Sequence, residues 1–399
     1  MSASPFDWVH CIHCGFHFQY KDCVVVATNQ APESPVPAGT VLHEQGILKD
    51  ALPTRGLVRL RRGETQRLPE VQKYRYRVGE RGPTVQGSVV LAELACPNPD
   101  CHTAITAEKE WLIALVGASA SGKSHYIASL VDQVINAGTL AGFRSSSHAR
   151  GDSYERYTQH YFNPLVKRKE AIQLNKAGRD AKNAPLSFTL VLDQPGQNSP
   201  RRFTFSIFDW QGEMLVNAGQ RAIAAKYVTL ASAMIFFVDP MILPGVIDYL
   251  PERLRGRSVN AIPIGHTISS VVEGFNRKRG FVPDTRPLDI PVSIMMSKSD
   301  IAIYPCKARG INPRFLQDER HLDGYDIRRA REVSREVRDF LVAMGADDVM
   351  SREGLLRKVM YHAVSATGYE EINNAYSGYR PIRCLDPFLW IVSQWGLFP

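Results

Sequence analysis

The residues best equipped for chemistry in this 399-residue chain form the run Gly117-Ala-Ser-Ala-Ser121-Gly122-Lys123-Ser124. It fits G-x-x-x-x-G-K-[ST], a pattern in which each position has a physical job. Glycines let the backbone curl so that several N–H groups converge on phosphate oxygens. A helix beginning at the loop's end adds partial positive charge. Lys123 is then placed for the β- and γ-phosphates of a nucleoside triphosphate, and the Ser124 hydroxyl for Mg2+.

Three later segments bear on which nucleotide. Phe205-Ser-Ile-Phe-Asp209-Trp-Gln-Gly212-Glu213 is an apolar strand ending in D-x-x-G. Asp209 can hold Mg2+ through water, and the Gly212 N–H can meet the γ-phosphate. Next, Ser297-Lys298-Ser-Asp300 follows the apolar run Pro291–Met296. The Asp300 carboxylate can accept two hydrogens from guanine, one from the ring N–H and one from the amino group. Adenine offers no such pair, and a buried carboxylate left without donors disfavours it. The stem of Lys298 can lie along the base. Last, Ser365-Ala366 ends another apolar run, where the Ala366 amide can donate to the guanine carbonyl. The four segments come in this order, each just after an expected strand.

A second chemistry lies near the N-terminus. Cys11-Ile-His-Cys14 and Cys96-Pro-Asn-Pro-Asp-Cys101 are two close pairs. Four thiolates can enclose Zn2+ at about 2.3 Å each and leave no open position, so such a site reads as structural. His13, His17 and His102 are possible substitutes. Cys23, Cys306 and Cys384 read as buried, inert thiols. Seven cysteines, an odd number, with no export signal at Met1–His10, point to metal in a reducing, cytoplasmic setting rather than to disulfides.

These residues need a scaffold. Apolar runs at Trp111–Val116, Leu186–Leu192, Phe203–Phe208, Ala233–Val238, Pro291–Met296 and Val359–Ser365 predict strands. Helices are expected after Lys123, Glu213, Ile264 and Asp326. In the last, Ile327, Ala330, Val333, Val337, Phe340, Leu341 and Met344 share one face. Strands alternating with helices predict a layered α/β domain over 109–399, closed by a C-terminal helix around Pro387–Trp395. The link Asp193–Pro200 is too short for a crossover helix, so its flanking strands should be antiparallel. Residues 1–108 form a separate, β-rich, zinc-ribbon-like unit with a long insertion between its cysteine pairs.

From Trp111 to Gly368 the chain resembles the TRAFAC-class, Ras-like P-loop GTPases. The cysteine pairs, Asp239-Pro240 after its apolar strand and Asp386-Pro-Phe-Leu-Trp390 resemble the bacterial double-GTPase type 2 family. The resemblance implies a three-layer sandwich of mostly parallel sheet with one antiparallel strand. It also implies a GTP/GDP-binding switch with Mg2+, set among protein partners (GTPase-activating or effector proteins) in a multi-protein conflict or antiviral defence system. Lys123 and Glu213 are the catalytic candidates. Gly117, Ser121, Gly122, Lys123, Ser124, Asp209, Gly212, Lys298, Asp300, Ser365 and Ala366 are the nucleotide-binding ones. The chain departs from the pattern in three places. Ser297 replaces the usual Asn or Thr that braces the base loop. Glu213 stands where many relatives place a water-orienting Gln. Gln173–Gly178 contains no switch Thr, Thr158 being a distant candidate. Intrinsic hydrolysis is therefore expected to be slow and to need a partner, one that supplies an Arg for example. Arg144, Arg150, Arg156 and Arg168 are candidates for an internal finger, most of them expected at the surface. The alternative is a GTP-binding adapter without turnover.

Composition bounds these readings. Hydrophobic residues at 44% and charged residues at 22% exclude a disordered chain. The net charge is +8, and the stretch Arg55–Arg81, with nine basic residues against three glutamates, supplies most of it. Tyr74 and Tyr76 within it make a nucleic-acid surface conceivable, with the nucleotide site then regulatory. A solvated strand pair is the favoured reading of the same residues. No apolar run is long enough to predict a transmembrane helix.

Overall fold

The structure is a computed structural model. It describes residues 8–19, 22–27, 41–43, 52–54, 57–59, 66–67, 75–79, 82–85, 88–89, 92–102, 105, 110–150, 152–173, 185–193, 200–211, 230–256, 264–278, 286–319, 321 and 323–397.

The main body is α/β. Its eight strands are β1 (Glu110–Gly117), β2 (Thr139–Leu140), β3 (Phe143–Ala149), β4 (Leu186–Asp193), β5 (Arg201–Gln211), β6 (Ala233–Val238), β7 (Leu288–Met296) and β8 (Leu356–Ala363). They form one sheet in the order β2-β3-β4-β5-β1-β6-β7-β8. Strands β5, β1, β6, β7 and β8 are parallel. Strand β4 is antiparallel to β5, as the short Asp193–Pro200 link requires. The expectation of one antiparallel strand falls short, because β3 and β2 extend the same edge as an antiparallel meander. Strand β3 reads Phe-Arg-Ser-Ser-Ser-His-Ala, and the polar side chains of an edge strand give no apolar run to recognise.

All six expected strands are present, as are the helices after Lys123, Ile264 and Asp326: α1 (Lys123–Asn136), α3 (Ile264–Lys278) and α4 (Ile327–Ala343). The helix expected after Glu213 lies outside the described residues. Between β3 and β4 the chain forms α2 (Ser153–Tyr157), which runs into a π-helical segment, Thr158–Lys167. The C-terminal helix α5 spans Asp386–Gln394.

Helices cover both faces of the sheet. Along β1, Leu112, Ala114 and Val116 point into one core with α3 (Ile268, Val271, Val272) and α4 (Val333, Val337, Leu341). Ile113 and Leu115 point into the other, with α1 (Ile127, Leu130, Val131, Val134) and α5 (Phe388, Leu389, Ile391, Val392). The two-residue period of a strand makes this division, and burial on both faces is why β1 and β6 read as unbroken apolar runs.

The N-terminal part is built from small antiparallel sheets. Trp8–His10 pairs with His17–Gln19, and Val24–Ala27 pairs with both Ala92–Ala95 and Val41–His43. Further short strands, such as Arg75–Gly79 with Gly82–Val85, lie in the insertion. The side chains of the Arg55–Arg81 stretch lie outside the described residues, so the basic surface considered there does too. Among the described residues, no helix is long and apolar enough to cross a membrane.

Candidate functional site

Strand β1 delivers the glycine-rich loop to the carboxyl edge of the parallel strands, where open α/β sheets place their ligands. Gly117 allows a close approach: a β-carbon there would lie 2.8 Å from both Phe237 Cβ and Ser121 Oγ. Gly122 adopts φ +89°, a left-handed conformation natural to glycine, and caps the start of α1. The Tyr126 N–H donates to Gly122 O at 2.9 Å, so helical bonding begins at once. Lys123, buried, folds back into the curl of the loop. Its Nζ donates to Gly117 O at 2.8 Å and Ala118 O at 2.6 Å, and lies 3.4 Å from Ser121 Oγ. The Ser124 Oγ lies 3.4 Å from Asp209 Oδ2, which β5 brings alongside.

Strand β7 ends in the second motif. Lys298 takes φ +47°, and the chain turns into the short helical segment Ser299–Ala302. The Ser299 N–H donates to Val364 O, and the Val364 N–H to Met296 O, which ties this turn to the end of β8. Burial pushes the Asp300 carboxyl above the ordinary aspartate value, and a hydrogen bond with Ser365 pulls the other way. Ser365 Oγ also accepts from the Gly368 N–H at 2.9 Å, and Cys384 donates to Ser365 O.

Around these elements lies a cavity of about 640 Å3, within the range of small-molecule pockets. Its walls include Ser121, Gly122, Lys123, Ser124, Lys298, Asp300, Ser365 and Ala366. Residues from three separate motifs, up to 245 positions apart, thus share one space. Gly117 and Asp209 are not on the wall; they stand behind it through the contacts above. Gly212 and Glu213 lie outside the described residues, as do positions 174–178 of the stretch searched for a switch Thr. Gln173 is on the wall, and Thr158 is not. None of Arg144, Arg150, Arg156 and Arg168 lines the cavity. Arg168 pairs with Glu170 at the surface, whereas Arg156, largely buried, pairs with Asp152 and donates to Pro185 O at 2.7 Å.

The motifs did not announce the cavity's roof. After β8, Glu371–Ile372 and Ala375–Tyr376 form a small hairpin. It joins the segment leading out of the π-helix: Ala171 N–H donates to Asn374 O at 2.8 Å, and Tyr376 N–H to Lys169 O at 2.7 Å. The Tyr376 hydroxyl lies 3.1 Å from His125 Nε2, directly after the phosphate loop. The local signal for it is Asn373-Asn374, the two-residue loop in which both asparagines take positive φ; nothing local marks Ala171–Gln173.

The cysteines converge independently. Among the described residues, Cys11, Cys14, Cys96 and Cys101 form a cluster with all four sulfurs within 4.8 Å of one another. Cys11 Sγ lies 3.7 Å from Cys101 Sγ, and Cys14 Sγ lies 3.5 Å from Cys96 Sγ. A tetrahedron with Zn–S bonds of about 2.3 Å has edges of roughly 3.8 Å, so the spacing fits. The turns are made for it: Cys14 N–H points at Cys11 Sγ, and Cys101 N–H bonds to Asn98 O. Hydrogen bonding with Cys101 and burial hold the Cys11 thiol up at about 12, and neighbouring thiols and burial also raise Cys96. Crowded thiolates repel one another, and a dication removes that cost. The four thiols therefore form a set able to hold a metal ion such as zinc. The three histidines are not part of it, and Cys23, Cys306 and Cys384 are buried.

No protein-family model matches the chain. It is similar to a Mycolicibacterium smegmatis protein, SaeC, whose name gives it a proposed role in ESX-1 scaffolding and assembly. The two are 24% identical over 348 residues, covering 80% of this chain and 86% of SaeC.

Proposed function

We propose that the chain is a GTP-binding switch whose slow hydrolysis depends on a protein partner, carried on a Ras-like P-loop sandwich with an N-terminal zinc-stabilised unit. One observation carries this reading. The glycine-rich loop, the Asp300 turn and Ser365-Ala366 line the same cavity.

In this reading Lys123 and the loop amides bind the phosphates, while Ser124 and Asp209 would hold Mg2+, which supplies charge neutralisation at the phosphates when bound. Asp300 orients guanine through its two protons, and Ala366 serves its carbonyl. Glu213 is the candidate for handling the attacking water, with Gly212 at the γ-phosphate. The cluster of Cys11, Cys14, Cys96 and Cys101 would hold zinc in a structural role. The named role of SaeC supports a setting among protein partners. It also favours a second reading, in which GTP is held without turnover and the protein acts as a scaffold. Nothing in the comparison bears on the defence setting that the sequence resemblance implies.

The test is competition for labelled GTP. Unlabelled GTP and GDP should displace it, and ATP should not. Asp300→Asn should weaken GTP on the order of a hundredfold and improve binding of xanthosine triphosphate, whose 2-carbonyl accepts from the new amide. Equal competition by ATP would sink the guanine assignment. Phosphate release with and without candidate partners separates switch from scaffold.

A further inference from the structure

Lys298 does not reach into the cavity alone. Its Nζ donates to Asp239 Oδ2 at 2.6 Å, across 59 positions of sequence. Asp239 sits at the end of β6, with a side chain only 7% exposed, and its other oxygen accepts from the Met241 N–H at 2.9 Å. Both carboxylate oxygens are thereby fixed before any ligand arrives. The neighbouring position explains why such a hold is needed. Ser297 lies beside the phosphate loop, its Cβ 3.7 Å from where a β-carbon on Gly122 would sit. Its hydroxyl, however, is directed at Val238 O, 3.3 Å away. That hydrogen bond ties Ser297 to the end of β6 rather than to the phosphate loop. Lys298 is also held at φ +47°, a conformation that costs a non-glycine residue about 1 kcal/mol and persists only where surroundings enforce it.

We propose that Asp239 is a positioning residue for the base loop, a tether that takes over the bracing that Ser297 does not provide. The inference rests on the guanine-nucleotide reading above. The tether runs from Lys298 to the tip of β6, which pairs with β1, the strand that delivers the phosphate loop. It therefore connects the two ends of the site through the sheet. It also lays the Lys298 stem along the cavity wall in advance, so that binding a purine there costs less ordering.

A double-mutant cycle on the full chain tests it. Asp239→Asn and Asp239→Ser both keep an acceptor for the Met241 N–H, so the turn stays capped, and both remove the charge that holds Lys298. Each should weaken GTP and GDP by the same factor, about tenfold, because the loss is at the base and not the γ-phosphate. In a Lys298→Met background the same changes should have no further effect. Lys298→Arg, which keeps the ion pair, should bind within about threefold of the unaltered protein. Additive losses in the cycle, or Lys298→Met binding as well as the unaltered protein, would overturn the tether. Failure of the unaltered protein to prefer guanine nucleotides would instead overturn the function on which it rests.

Discussion

The cysteine cluster and the cavity gather their ligands in opposite ways. The cluster takes four identical thiols from two turns held by three- and four-residue strands. Among the described residues, Val24, Val26 and Ala95 form an apolar cluster there, and Phe18, Val25, Leu94 and Ile105 are also buried. The cavity takes unlike groups, backbone amides, a lysine, a carboxyl and hydroxyls, from the ends of strands clamped between two large cores. The first region gathers crowded thiols whose fold a bound metal would stabilise. The second is held by its two cores, which leaves the binding energy of a ligand free for selectivity or movement.

The sharpest way to break this contrast is to remove the metal. Cys96→Ser, or chelation of the unaltered protein, should abolish metal binding and unfold the N-terminal unit, since structural zinc supplies on the order of 10 kcal/mol. GTP binding should stay within about twofold. Metal analysis beside nucleotide titration reads both, and a collapse of nucleotide binding would show that the regions are not independent. The reverse experiment is Lys123→Ala, which should weaken GTP on the order of a thousandfold, with the metal content and the melting temperature of the metal-bound protein almost unchanged.

A smaller effect tests whether the large cores hold without a ligand. His362, in β8, is buried beside Ser293, with its Nδ1 2.8 Å from Ser293 Oγ. Burial lowers its pKa from 6.5 to about 4. The unfolded chain therefore takes up a proton that the folded one refuses. Stability present above pH 6.5 is lost as the pH falls from there through about 4, by up to about 3 kcal/mol in total. Denaturant midpoints of the unaltered protein and His362→Gln across pH 4–7 isolate this term. Parallel pH profiles would remove His362 as its source.

What the sequence disclosed follows from the same contrast. Trp111–Val116 and Ala233–Val238 were legible because strands buried on both faces must be apolar throughout. Lys123, Asp300 and the cysteines stood out because the patterns around them are local, and the structure brings Lys123 and Asp300 to one cavity wall and Cys11, Cys14, Cys96 and Cys101 into one cluster. The order of the motifs also anticipated that they would meet at one edge of the sheet. The meander of β2 and β3 was hidden by polar side chains, and the hairpin Glu371–Tyr376 by strands of two residues, too short to show a period. The π-helical Thr158–Lys167 carries Pro164 inside it, which locally argues against any helix. The ion pair of Asp239 with Lys298 depends on two strand ends meeting, which no local pattern encodes.

The 81 residues between Cys14 and Cys96 have a further consequence. A metal joining both turns acts as a staple at the neck of a long excursion. The entropic cost of closing such a loop grows only with the logarithm of its length, so doubling it adds about 0.6 kcal/mol. The neck therefore tolerates great variation in what it encloses. It is a natural place to graft a reporter or a foreign binding domain while leaving the cavity of the main sheet intact.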